Sequence, residues 1–119
     1  MNASELESFI AGLSYQVEHL SGQDGNSYTV VRNFTPPTGS LAGQIFDVAF
    51  LRIMAEPYPF PAALHTRPAL VPMNTAAPLA TQASGIGPDW QYWSRRYDRV
   101  PTPRGIWTHI LTIFSEVST

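Results

Sequence analysis

Three prolines alternate with other residues in the segment 56–61, and they set the strongest limit on how this chain folds. Proline has no backbone N–H, so a segment with three of them forms neither a helix nor an inner strand. The residues before it, 44–54, are nearly all apolar, with Asp47 and Arg52 as the only charges. This density predicts a central strand, covered on part of both faces, that runs into a rigid extended segment.

Helical patterns stand near both ends of the chain. Residues 3–13 carry apolar side chains at a 3.6-residue period, and Ser4 with Glu7 predicts a capping box at the start of that helix. Near the other end, Thr102 is the predicted N-cap of a second helix, with Pro103 as its first residue. The sequence therefore predicts one helix before and one helix after the central apolar strand.

Four segments between these helices have the composition of strands: residues 15–20, 28–34, 44–54 and 63–71. Their short connections favour an antiparallel meander, because parallel neighbours need a crossover. Residues 72–88 are rich in Ala, Thr, Ser, Gly and Pro, which predicts a long loop of the kind that often carries function. We therefore expect one α+β domain over residues 1–119, with both helices on one face of a four-stranded sheet.

Composition excludes several kinds of chemistry. The chain has no cysteine, and its seven basic residues are all arginine, which excludes thiolate and lysine chemistry. The three scattered histidines form no ligand motif, so we expect no metal site and no cofactor. The net charge of −2 argues against nucleic-acid binding, and without an apolar stretch of about 18 residues or a signal peptide we expect a cytoplasmic protein away from membranes.

Two further clusters follow the predicted loop. Four of the seven arginines lie between residues 95 and 104, which we interpret as a solvated surface segment. Aromatic side chains crowd residues 90–97, which we interpret as core packing with Trp93 buried. The alternative for the aromatic cluster is a docking surface for a partner.

The element order and three motifs resemble the E2 ubiquitin-conjugating family. Residues 43–50 are similar to an apolar strand of that family, and Tyr-Pro-Phe-Pro at 58–61 is similar to its Tyr-Pro-Phe signature. Trp-Ser-Arg-Arg at 93–96 looks like the Trp-Ser-Arg-His element of small bacterial E2-like proteins encoded beside ubiquitin-like proteins, E1-like enzymes and JAB-type peptidases, with Arg96 in place of the histidine. The resemblance covers residues 3–117 and implies a UBC-like fold, with an E1-like adenylating enzyme and a ubiquitin-like protein as partners.

An E2 enzyme carries ubiquitin as a thioester on a cysteine, which this chain lacks. The resemblance places that position roughly twenty-five residues after the signature tyrosine and roughly eight before the tryptophan of the later motif. Ser84 lies there, so the resemblance implies an oxygen ester on Ser84, with Thr81 as the fallback nucleophile in the same loop. Asn74 stands where the family has the asparagine of His-Pro-Asn, which implies that its side chain stabilises an oxyanion.

A serine nucleophile needs a base within hydrogen-bond reach, and the candidates are His65, Asp89 and His109. Each assigned residue also has a structural interpretation: Ser84 and Asn74 as turn residues, and His65 as a buried structural histidine. Two functional hypotheses follow, an E2-like acyl carrier and a catalytically inactive E2 variant that binds a ubiquitin-like protein or E1. A third interpretation is an unrelated α+β scaffold in which the Tyr-Pro-Phe match is coincidental.

Overall fold

A six-stranded antiparallel sheet with two helices is the framework of the computed structural model, which describes residues 1–74 and 80–117. The helices are α1 (Ala3–Gly12) and α2 (Pro103–Ser115). The strands are β1 (Val17–Ser21), β2 (Ser27–Phe34), β3 (Phe46–Leu51), β4 (Ala63–Arg67), β5 (Thr81–Ala83) and β6 (Gln91–Ser94). Their order in the sheet is β1-β2-β3-β4-β6-β5, so the predicted α+β class with a helix near each end is confirmed.

The predicted meander is present as β1 to β4, but the expectation of four strands is wrong for the described residues. β6 pairs with β4, and β5 pairs with the other side of β6. Part of the segment predicted as a loop, 72–88, is therefore the strand β5. These two strands have three and four residues, too few for an alternation pattern to reveal. The pairing of β6 with β4, and of β5 with β6, decides their structure instead.

Helix α1 occupies the predicted segment but begins with a different cap. The Asn2 side chain accepts a hydrogen bond from the backbone N–H of Glu5 at 2.9 Å, so Asn2 is the N-cap, not Ser4. Glu7 does not close a capping box. Its carboxylate accepts hydrogen bonds from Arg52 at 3.0 Å and from the Thr29 hydroxyl at 2.7 Å, which ties α1 to the sheet.

Both helices pack on the same face of the sheet, as predicted. In α2, Thr102 accepts a hydrogen bond from the Gly105 N–H at 3.0 Å and Pro103 is the first helical residue, so the predicted start is confirmed. Trp93 is 1% exposed in this core, and its indole N–H donates to the Thr66 hydroxyl at 3.0 Å. The predicted burial of Trp93 is therefore confirmed.

The proline-rich segment contains no helix or strand residue between Arg52 and Ala62. Tyr58 anchors it, since its side chain is 1% exposed and its hydroxyl donates to the Leu51 carbonyl at 3.3 Å. The Phe60 ring packs against Phe50 with centroids 5.5 Å apart. The extended form that the prolines dictate thus holds two aromatic side chains on the helical face of the sheet.

The opposite face of the sheet is covered by the segment that links β5 to β6. Alternation along β3 directs Val48 and Phe50 to the helices and Ala49 to this second face. Ile86 and Trp90, both 5% exposed, pack over Ala49 in a second apolar cluster with Tyr28 and Val30. This cover brings Ser84 to His65 on β4 and Trp90 to Arg67 on the same strand.

Candidate functional site

The floor of the candidate site is His65, which β4 directs to the face of the sheet away from the helices. Its side chain is enclosed by two rings, Tyr28 and Tyr92, with centroids 5.2 and 5.3 Å from that of the imidazole. Tyr92 lies directly opposite on β6, and Ala49 lies opposite on β3. The small side chain of Ala49 leaves room for the Tyr28 ring to reach across from β2.

Ser84 follows β5 and meets His65 from above. The Ser84 Oγ lies 2.8 Å from the His65 Nδ1, within the reach that a nucleophile and its base require. The Ile86 backbone N–H donates to the same oxygen at 3.1 Å. With the ring proton on Nε2, Ser84 donates to Nδ1 while it accepts from Ile86. In that tautomer the hydroxyl is held in the orientation that proton transfer to His65 needs.

Burial keeps His65 neutral at neutral pH. The residue is 5% exposed, and this burial lowers the pKa of His65 to about 4, against a smaller opposing effect from the negative charge of Asp24. A neutral imidazole has a lone pair that accepts a proton. Because the same burial disfavours the imidazolium, His65 does not hold Ser84 ionised at rest, and proton transfer must accompany bond formation at Ser84.

One wall of the site is formed by Asp24, in the β1–β2 turn, and by Tyr28, near the start of β2. The Tyr28 hydroxyl donates to the Asp24 carboxylate at 2.5 Å, and this hydrogen bond lowers the pKa of Asp24. Desolvation, with that hydrogen bond, raises the pKa of Tyr28 to about 12. Asp24 is therefore a carboxylate at neutral pH and Tyr28 a neutral phenol.

The β1–β2 turn is bonded to the segment that carries Ser84. The backbone N–H groups of Gln23 and Asp24 donate to the carbonyls of Ile86 and Gly85, both at 3.0 Å. A Cβ on Gly85 would lie 2.6 Å from the Asp24 carboxylate oxygen, so any larger residue there would force the Asp24 side chain to shift. Two loops separated by about sixty residues of sequence therefore fix the position of Ser84 together.

Asn74 and Thr81 lie in a different place. The Asn74 N–H donates to the Thr81 carbonyl at 3.1 Å, and the Thr81 hydroxyl donates to the Pro72 carbonyl at 3.1 Å. Thr81 is 1% exposed, so its hydroxyl is a structural link rather than an accessible nucleophile. Ser84 follows Thr81 by three residues, about 10 Å along an extended chain.

Asn74 lines an apolar cleft of about 850 Å³ on the helical side, together with Trp93, Arg95 and Ile113.

Of the three candidate bases, only His65 contacts Ser84. Asp89 is exposed in the turn before Trp90, and His109 packs on α2 against Phe60 and Tyr97 with centroid distances of 6.0 and 5.0 Å.

The sequence pattern does not single out Asp24 or Tyr28. Asp24 stands in a Gly-rich turn and has the composition of a turn residue, and Tyr28 continues the alternation of β2. Their roles depend on the distant Gly85 and His65. The one local signal is the alternation itself, which places Tyr28 and Val30 on one face of β2.

No family model matches the sequence, and no curated protein or solved structure gives a significant match. Within residues 1–74 and 80–117, no group of three or more His, Cys, Asp or Glu side chains is placed to hold a metal ion. No helix in that part of the chain is long and apolar enough to cross a membrane. Function is therefore inferred from the sequence motifs and from the geometry around Ser84.

Proposed function

We propose that the chain is an E2-like protein of a bacterial ubiquitin-like conjugation pathway. In this proposal Ser84 accepts the C-terminus of a ubiquitin-like protein from an E1-like adenylating enzyme and carries it as an oxygen ester. The observation that carries the proposal is the 2.8 Å hydrogen bond between the Ser84 Oγ and the His65 Nδ1. Ser84 stands at the position where the resemblance implies a nucleophile, and His65 is in contact with it as a base. The serine would thus replace the cysteine that this sequence lacks.

The reaction follows from that contact. The Ser84 Oγ attacks the carbonyl carbon of the adenylated C-terminus, an O–C bond forms, and AMP leaves with the electron pair of the broken bond. The hydroxyl proton passes to the His65 Nδ1 as the O–C bond forms. The negative charge of Asp24 favours the imidazolium that results, since it acts to raise the pKa of His65.

Release of the ester uses the same groups in reverse. An acceptor hydroxyl or amine attacks the ester carbon and passes its proton to the neutral His65, and His65 gives that proton to the Ser84 Oγ as that oxygen leaves. An ester transfers to amines less readily than a thioester, so a hydroxyl acceptor suits this site. The chain itself has no lysine, so self-linkage must be to a hydroxyl or to the N-terminal amine.

The test is an intact-mass measurement. The protein is incubated with ATP and with the ubiquitin-like protein and E1-like enzyme encoded beside it, then treated with thiol reductant, alkali or hydroxylamine. We expect an adduct that resists reductant and is cleaved by alkali and by hydroxylamine. Ser84→Ala should abolish it, and Ser8→Ala, a change of the same type at an exposed position of α1, should not.

His65→Asn keeps a polar side chain near Ser84 but removes the base. It should slow adduct formation by about 10²- to 10⁴-fold. An adduct that persists in Ser84→Ala would show that another residue carries the acyl group. Absence of E1-like and ubiquitin-like genes beside this one would support the unrelated scaffold instead.

A second candidate function is a binding module without catalysis. The missing cysteine, together with the missing histidine of the His-Pro-Asn motif before Asn74, favours it. The two hydrogen bonds of the Ser84 hydroxyl, to His65 and from the Ile86 N–H, also satisfy it as a structural link. Co-elution with the ubiquitin-like protein or E1 without any adduct would select this function.

A further inference from the structure

An open cavity of about 590 Å³ lies at the start of α2, on the helical side of the sheet. One wall is the segment 96–99, and the other is a stripe of α2 formed by Arg104, Thr108 and Thr112, which are four residues apart and so share one side of the helix. Its lining includes neither Ser84 nor His65. The cavity is therefore separate from the candidate site above.

The charge of this cavity is positive. Its lining contains Arg96, Arg99 and Arg104 against one carboxylate, Asp98, in a chain whose net charge is −2. Arg96 forms an ion pair with Asp98 at 2.7 Å. Arg99 and Arg104 form no ion pair with any residue in the described parts of the chain, 1–74 and 80–117.

The other arginines of the chain are used differently. Arg32 and Arg67 bind Asp47, at 3.1 and 2.8 Å, and Arg52 binds Glu7 at 3.0 Å. Arg95 donates to the Ala80 carbonyl at 3.0 Å. Among the described residues, Arg99 and Arg104 are thus the two arginines without an acidic partner or a carbonyl to bind, and both face one cavity.

The remaining lining suits an organic phosphate. The hydroxyls of Thr108 and Thr112 offer hydrogen bonds, and the rings of Tyr97 and His109, with centroids 5.0 Å apart, provide an aromatic surface. A volume of about 590 Å³ is within the range of small-molecule sites, about 300–1,000 Å³, and exceeds what a single phosphate needs. Guanidinium groups bind phosphate oxygens through paired N–H donors.

We propose that this cavity binds a diphosphate group, with Arg99 and Arg104 as its principal ligands and the Thr108 and Thr112 hydroxyls as additional donors. Arg96 contributes the N–H groups that Asp98 does not use. The positive end of the α2 dipole adds to the potential at the same place. The sequence predicts that the arginine-rich segment 95–104 is solvated surface. In this proposal its residues 96–99 form one wall of an anion site.

The test is a titration of the whole chain with pyrophosphate at low ionic strength. Calorimetry and NMR measure the binding. We expect saturable binding that Arg99→Gln and Arg104→Gln each weaken by at least about tenfold. Arg32→Gln removes the same charge on β2, outside the cavity, and should leave the affinity within about twofold. Circular dichroism checks that each variant is folded.

Two results would overturn the proposal. One is the absence of saturable binding at millimolar pyrophosphate, and the other is an equal loss of affinity in the Arg32→Gln variant, which would indicate binding by net charge alone. Competition with ADP identifies the source of the diphosphate: displacement indicates a nucleotide and no displacement an inorganic anion, and both support the site. None of these outcomes depends on the chemistry proposed for Ser84.

Discussion

Burial of His65 makes the stability of this protein depend on pH in a defined window. The ordinary pKa of histidine is 6.5, and burial lowers that of His65 to about 4 in the folded chain. Below pH 6.5 the unfolded chain therefore binds a proton that the folded chain does not. The stabilisation from a neutral His65 is present above pH 6.5 and is lost as the pH falls towards 4.

The size of the effect follows from the two pKa values. Between about pH 7.5 and about pH 5, proton linkage at His65 lowers the free energy of unfolding by ~2 kcal/mol, and the loss reaches ~3 kcal/mol in more acid solution. His65 is 5% exposed, so little solvent screening reduces this figure. A loss of ~2 kcal/mol is a large part of the stability of a small domain.

The assay is urea unfolding of the wild type and of His65→Asn at both pH values. Asparagine does not titrate, and its side chain keeps a polar group near the Ser84 hydroxyl. Burial also lowers the pKa of His109, but that contribution is the same in both proteins and cancels in the comparison. We expect the wild type to lose ~2 kcal/mol more than His65→Asn on acidification.

Equal pH dependence in the two proteins would refute the reasoning, since it would mean that His65 gains its proton in the folded state. If His65→Asn does not fold, NMR titration of the His65 ring in the wild type gives the same decision. A midpoint near pH 4 supports the argument. A midpoint near 6.5 would contradict the lowered pKa of His65. It would also contradict the role of His65 as a buried neutral base in the proposed reaction.

Two further predictions concern the framework. Gly39 has φ +88°, and a Cβ there would collide with the backbone of Ser115 at the end of α2, so Gly39→Ala should lower the free energy of unfolding by more than about 2 kcal/mol. Gly43→Ala, at φ +84° with no heavy atom within 4 Å of the added Cβ, should cost about 1 kcal/mol, and equal losses in urea unfolding would contradict the packing argument. Trp93→Phe leaves the Thr66 hydroxyl buried without its donor and should cost about 2–4 kcal/mol. Adding Thr66→Val to it should then cost less than the sum of the two single changes in thermal unfolding, and strict additivity would argue against the hydrogen bond.

The candidate site was only partly within reach of the sequence. The resemblance led to Ser84, and His65 was one of three candidate bases, but nothing local distinguishes it from Asp89 or His109. The contact between Ser84 and His65 depends on the register of β4, β5 and β6. The backbone bridge between Asn74 and Thr81 likewise depends on tertiary pairing, and the motif position of Asn74 does not predict it.

The sequence by itself determined the elements whose signals lie in neighbouring residues. The two helices follow from apolar residues at a 3.6-residue period, and Thr102 and Pro103 mark the start of the second. The extended segment at 56–61 follows from the backbone N–H groups that its prolines lack. Only the tertiary structure decided the short strands β5 and β6 and the contact between the two loops that enclose Ser84. The reason is that periodicity and proline act within a few residues, whereas cross-strand register brings together groups that the sequence places far apart.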